Sequence, residues 1–337
     1  MYRSLSIVWR SAICAAALFV VLWAATSGPA VAQSVETLPA VENSAVIADA
    51  LPLSSGERAR FEQAIRNKQW SEAEKVLAAA YERHPDSAEL LKTLAKISFQ
   101  NENYWNTAIA YKKAEKIEPL DEQSRFSLAM AYIVLDHRDW AQPELRSLAE
   151  ANPGNPLYLY WLARLDYDGQ MFPDAIEKLN RVIAMDASFL RAYDNLGLSI
   201  EGAGRHDEAF GAFEKAIELN QKQPIPSPWP SLNLGTMLYR LGRTEEAELH
   251  LREAVRLDPK LAQSQYQLGS LLETRGELEQ GLAHLSRAAE LDPSDPKPHY
   301  ALGRLYRRQG DEERALAALR RFSELEEKRK QEKKGPR

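Results

Sequence analysis

The sequence predicts an all-α fold, a solenoid of about eight helical hairpins, and three observations lead there. Leu234-Gly235, Leu268-Gly269 and Leu302-Gly303 recur at intervals of 34 residues. Ala95, Ala129, Ala163 and Gly197 keep the same interval upstream. Twelve places after most of these markers stands a second small residue, and four places later a bulky one, as in Ala247 and Leu251. A fixed period of this length marks stacked helical units, each too thin to bury its own apolar face.

The first 32 residues are a different material. Arg3 and Arg10 precede an almost wholly apolar run from Ser11 to Ala25, and Ala30-Val31-Ala32 offers a small-x-small site before Gln33. About 15 apolar residues reach ~22 Å as a helix, short of the ~30 Å hydrocarbon core. A secretory signal cleaved near Ala32-Gln33 is therefore expected, with a periplasmic or secreted product. An uncleaved N-terminal anchor is the alternative, and only that case implies membrane contact. Cleavage removes Cys14, the one cysteine, and with it any disulfide or thiolate metal site. Residues 33–53 carry Pro39 and Pro52 without helical period and read as a flexible leader.

From residue 54 to 327 the repeat supplies the elements. In the unit around Gly269 the packing stripe of the first helix is Gln265, Leu268, Gly269 and Leu272; one unit earlier it is Ser231, Leu234, Gly235 and Leu238. The small residue sits where two helices must approach closely. A second helix from Glu245 to Leu257 turns Ala247, Leu251 and Ala254 toward the first, Leu241-Gly242-Arg243 is the turn, and Asp258-Pro259 ends the pair. The first unit is degenerate, with Phe61 in the place of a small residue, as a capping unit allows. Between Gly197 and Gly235 the interval lengthens by four residues, near 220–230. Pro224, Pro226, Pro228 and Pro230 alternate there, which favours an extended, polyproline-like connection. Residues 328–337 form a basic tail, read as a solvated helix end.

This pattern resembles the tetratricopeptide repeat family over roughly Ser54 to Leu325. The resemblance implies a right-handed superhelix of helix-turn-helix units and a role in holding other proteins. It also implies that first-helix residues three before, one after and four after the small marker face the concave side. Those places hold Phe126, Met130, Tyr160, Arg164, Tyr167, Leu232, Tyr239, Tyr266, Tyr300, Arg304 and Arg307, and Trp229 can join them. Aromatics with arginine are the types that anchor partner segments. Asn195, Asn233 and Gln267, each two places before a marker glycine, form a short row. An amide offers donor and acceptor together, so such a row can bind a peptide backbone without reading its sequence. It looks like the asparagine ladder in the repeats of O-linked GlcNAc transferase.

Other function classes have little support. The chain of 337 residues carries 27% charged residues and a formal net charge of −5, which gives no reason to expect nucleic acid. Walker, GxSxG, HExxH and GxGxxG patterns are absent from the sequence, and no enzyme, cofactor or metal site is expected. His250 and His284 hold equivalent places in adjacent units, too far apart for one zinc, and read as exposed surface histidines. The expectation is a non-catalytic scaffold that takes a peptide segment or helix of a partner protein in its groove. The alternative is an accessory subunit of a secretion, pilus or polysaccharide-export assembly that uses the outer surface. Oligomeric state is left open.

Overall fold

The computed structural model describes residues 48–333; the expected export signal and most of the leader lie outside them. The described residues are helical, without a strand. Helices α1 (Ser55–Arg66) and α2 (Trp70–Tyr81) are followed by α3 (Ala88–Gln100) and α4 (Tyr104–Glu115). Then come α5 (Glu122–Val134), α6 (Arg138–Ala151), α7 (Pro156–Asp168) and α8 (Phe172–Met185). The series continues with α9 (Leu190–Gly202), α10 (His206–Gln221), α11 (Trp229–Arg240) and α12 (Thr244–Leu257). It closes with α13 (Ala262–Arg275), α14 (Leu278–Leu291), α15 (Pro296–Arg308) and α16 (Glu312–Lys333). The chain forms two compact units, one ending at Leu165 and one starting at Asp166.

Local chemistry sets where helices start and stop. Ser54 opens α1 with a capping box: its hydroxyl accepts from the Glu57 amide while the Glu57 carboxylate accepts from the Ser54 amide at 3.0 Å. Inside the hairpins the chain reverses through one left-handed residue. The N–H after it returns to a carbonyl five residues back, as from Gln69 to Ala64 (2.8 Å) and Arg243 to Leu238 (3.0 Å). The later hairpins place Gly204, Gly242, Gly276 and Gly310 at that position; the earlier ones use Lys68, Glu102, Asp136 and Gln170 at φ 53–59°.

Packing follows the expected register. Ser231, Leu234, Gly235 and Leu238 on α11 are buried, as are Ala247, Leu251 and Ala254 on α12. A Cβ placed on Gly235 would lie 2.8 Å from Leu251 Cγ, and one on Gly269 the same distance from Leu285 Cγ. The glycines are thus the hollows into which second-helix leucines fit. Phe61 is fully buried, so the degenerate first unit still closes a core.

Within each unit, first helices of successive hairpins touch directly: α3 with α5 in the first unit, and α9, α11, α13 and α15 in series in the second. That closer approach puts the first helices on the inner curve and the second helices on the outer one.

Three expectations need correction. Ala48, Leu51 and Leu53 are buried, so the end of the leader packs as core instead of floating. The extra residues near 220–230 are not a loose extended connector. The α10 helix lengthens to Gln221, and the buried Asn220 side chain pairs with Ser227, donating to its carbonyl (2.7 Å) and accepting from its amide (2.8 Å). His250 and His284 are half-buried, because the hairpins stack over them; burial pushes both below the usual imidazole range. His284 Nδ1 bonds Gln265 Oε1 at 2.7 Å.

Candidate functional site

The inner face of the second unit is built by α9, α11, α13 and α15. Polar side chains tie each of these helices to the next. Asn233 Nδ2 donates to both Asp194 oxygens at 3.0 and 3.1 Å, joining α11 to α9. Arg240 pairs with Glu201 across the same helices, and burial pushes the Glu201 carboxyl up against the opposing pull of that guanidinium. Tyr239 donates from its hydroxyl to the Ser270 carbonyl (3.1 Å) and lies 2.6 Å from Thr274 Oγ1, joining α11 to α13.

The C-terminal part of this face is arginine-rich. Arg304 Nη2 donates to Glu273 Oε2 at 2.5 Å, and Arg308 Nη1 to the Glu273 carbonyl at 2.7 Å. Glu273 is buried, so two guanidiniums share one carboxylate and leave surplus positive charge toward solvent. Arg304 also lies over the Tyr300 ring at 5.6 Å, and Tyr300 packs on Phe322 of α16 at 5.2 Å. Tyr266 is half-buried beside them, and burial raises its phenol above the usual range. Gln267 is half-buried, and its amide makes no hydrogen bond among the described residues.

The expected groove residues therefore divide. Gln267, Tyr239, Tyr266, Tyr300 and Arg304 lie along the inner face of the second unit. Trp229 is half-buried at the start of α11, and Tyr167 is half-buried against Phe172 at 5.9 Å. The amide row is not the open ladder expected. Asn195 is buried and donates to the Arg191 carbonyl at 2.9 Å, and Asn233 is held by Asp194. A helical amide can bond the carbonyl one turn back, which has a second lone pair, or a neighbouring carboxylate. Tyr160 is also a correction, since it is fully buried with its ring edge-on to Trp161 at 5.6 Å; Phe126, Met130 and Arg164 of the first unit and Leu232 of the second are each buried as well.

Sequence reasoning missed the acids. Asp194 stands three before a marker, and Glu201 and Glu273 stand four after one, so all three occupy inward-facing places. The register could have found them had it been read for charge pairs as well as for aromatics.

The tetratricopeptide repeat family matches residues 188–260, 274–310 and 296–329. Among curated proteins, the peroxisomal targeting signal receptor of Saccharomyces cerevisiae is 24% identical over 211 residues, 59% of this chain. The match spans about a third of that receptor's length, 33%. A tetratricopeptide repeat protein from Parabacteroides merdae is similar in fold, with a TM-score of 0.62 at 15% identity, covering 78% of this chain and 98% of that one. PilW, a type IV pilus biogenesis factor, aligns with a TM-score of 0.53 at 16% identity, over 58% of this chain and 90% of its own. At these identities the likeness is one of fold. Residues 188–260 and 274–329 of this chain are tetratricopeptide repeats.

Proposed function

We propose that the chain is a non-catalytic scaffold whose second unit binds a peptide segment or helix of a partner protein on its inner face. One observation carries this reading. Tyr239, Tyr266, Gln267, Tyr300 and Arg304 follow one another along three successive first helices, with a buried Glu273 holding the arginine in place. Ion-paired and hydrogen-bonded side chains lose little further freedom on binding, which favours affinity from a modest contact area. The uncommitted Gln267 amide can meet a partner's backbone, and the surplus guanidinium charge suits a segment with a carboxylate near its end.

A photo-crosslinking residue placed at Gln267 or Tyr300 should capture a partner segment. The same residue at Leu249, 71% exposed on the second helix α12, should not. Capture from Leu249 alone would transfer the binding role to the outer surface and sink the groove.

We also propose that the chain works outside the cytoplasm, as the basic start, the short apolar run and the Ala-Val-Ala site suggest. The intact mass of the chain recovered from its native cells should correspond to a start at Gln33. A mass that retains Met1 to Ala32 would instead favour an uncleaved anchor.

A further inference from the structure

The first unit carries a second surface that the groove does not use. On the outer side, Trp105 of α4 and Trp140 of α6 stand 46% and 43% exposed, and Ile109, one turn from Trp105, is 51% exposed. The two indoles meet edge-on at 6.3 Å. His137 stacks on Trp140 at 3.9 Å with the rings 7° from parallel, and Tyr132 closes the base at 5.5 Å from Trp140.

The repeat supplies its own standard for judging this cluster. Trp105 stands two places before the small residue of its second helix. Hairpins elsewhere put Asp207, Glu245, Glu279 and Glu313 there. Trp140 stands one place before, where Asp174, Glu208 and Glu246 are found. An acid in the first turn favours the helix dipole, and a solvated acid keeps the outer face soluble. Hairpin two gives up both benefits for Trp105, and hairpin three, which keeps Asp139 in its first turn, replaces the neighbouring acid with Trp140, although packing alone would not require that exposure.

Area and charge indicate what fits. A Trp can bury ~150–250 Å² in all, so the open apolar surface here is on the order of 300 Å². That is well short of the ~800 Å² per partner of a stable protein interface, which argues against a second copy or a globular partner. Three carboxylates border the cluster in sequence: Glu102 in the turn before α4, Asp136 beside His137, and Asp139 beside Trp140. Arg138 is the cation among them, and it pairs with Asp136 at 3.4 Å. Exposed indoles with carboxylates this close in sequence suit a cation, and Trp is the strongest aromatic partner for one.

We propose that this cluster binds a basic peptide segment, laying a Lys or Arg side chain across Trp105 and Trp140. It is separate from the groove of the second unit and would let the scaffold hold two segments at once. The test titrates a fluorescein-labelled Lys-Gly repeat peptide against the full chain by anisotropy. Binding should weaken about tenfold or more in Trp105→Ala/Trp140→Ala. It should weaken several-fold in Asp136→Asn/Asp139→Asn, which leaves the indoles in place, and an unchanged melting temperature shows that each variant folds. The Glu-Gly counterpart should not bind. Binding unaffected by the Trp pair would overturn the proposal. So would stronger binding of a proline-rich peptide, or self-association of the full chain that disappears in the Trp variant.

Discussion

Replacing Phe213 with Ala is expected to destabilise the second unit by about 3–5 kcal/mol, the range for removing a fully buried aromatic. Phe213 lies on α10 with no exposed surface, and three atoms of its ring come within 2.6–2.8 Å of where a Cβ on Gly197 would sit. The ring occupies the hollow that Gly197 leaves on α9. A rigid ring cannot swing aside as a leucine end can, so Gly197→Ala alone should cost about 1–3 kcal/mol through overpacking. In the Phe213→Ala background the added methyl should cost far less, because the space it needs is then empty. The two changes should therefore fall short of additivity by more than 1 kcal/mol in a double-mutant cycle. Urea unfolding followed by circular dichroism gives the totals, and hydrogen exchange in α9 and α10 locates the loss. Strictly additive effects would mean that the glycine and the ring do not share a site.

That contact also shows why so much of the fold was legible. The small marker, the small residue twelve on and the bulky residue four beyond it are the hollow, the crossing point and the knob of one contact. The chain writes that contact several times at one spacing. Position in the repeat thus predicts burial at Leu234, Leu251 and Leu272 without coordinates. The clasp between Asn220 and Ser227 was not legible, because it joins one side chain to a loop backbone seven residues away and occurs once. The four prolines suggested extension, but a buried amide with two backbone partners set the local conformation. His284 was misplaced for a similar reason: its surroundings come from Gln265 on the preceding helix, not from its own period.

For the site, the register identified which places face inward but not which side chains remain available. Availability depends on the helix one hairpin away. Arg304 finds Glu273 31 residues earlier, and Asn233 finds Asp194 39 residues earlier. Neither separation equals the 34-residue period, because side chains lean along their helices and the second span includes the insertion near 220–230. A search for pairs at the repeat interval alone misses both. An amide in the row reads the same whether it faces a partner or an acid of its own chain. Gln267 and Asn233 stand at matching places and differ in this respect because α9 supplies Asp194.

In the first unit the largest polar effect is expected at Glu74. This buried carboxylate on α2 accepts from Ser98 Oγ at 2.8 Å, Asn101 Nδ2 at 2.6 Å, Asn103 Nδ2 at 3.2 Å and Asn106 Nδ2 at 2.8 Å. Four donors from α3, α4 and the turn between them converge on two oxygens, so one side chain fastens the first hairpin to the second. Glu74→Ala leaves the buried Ser98 hydroxyl and three half-buried amides without their acceptor, and should cost about 3 kcal/mol. Glu74→Gln is nearly isosteric yet should still destabilise, because its amide nitrogen is a donor turned toward donors. Where the loss appears matters as much as its size. Neighbouring hairpins stabilise each other chiefly through their shared interface, so weakening one interface should release the end hairpin first. Hydrogen exchange should accelerate in α1 and α2 of either variant while α5 keeps its protection. A uniform loss across α1–α6 would instead mean that the first unit unfolds as one block and that Glu74 is not a local fastening.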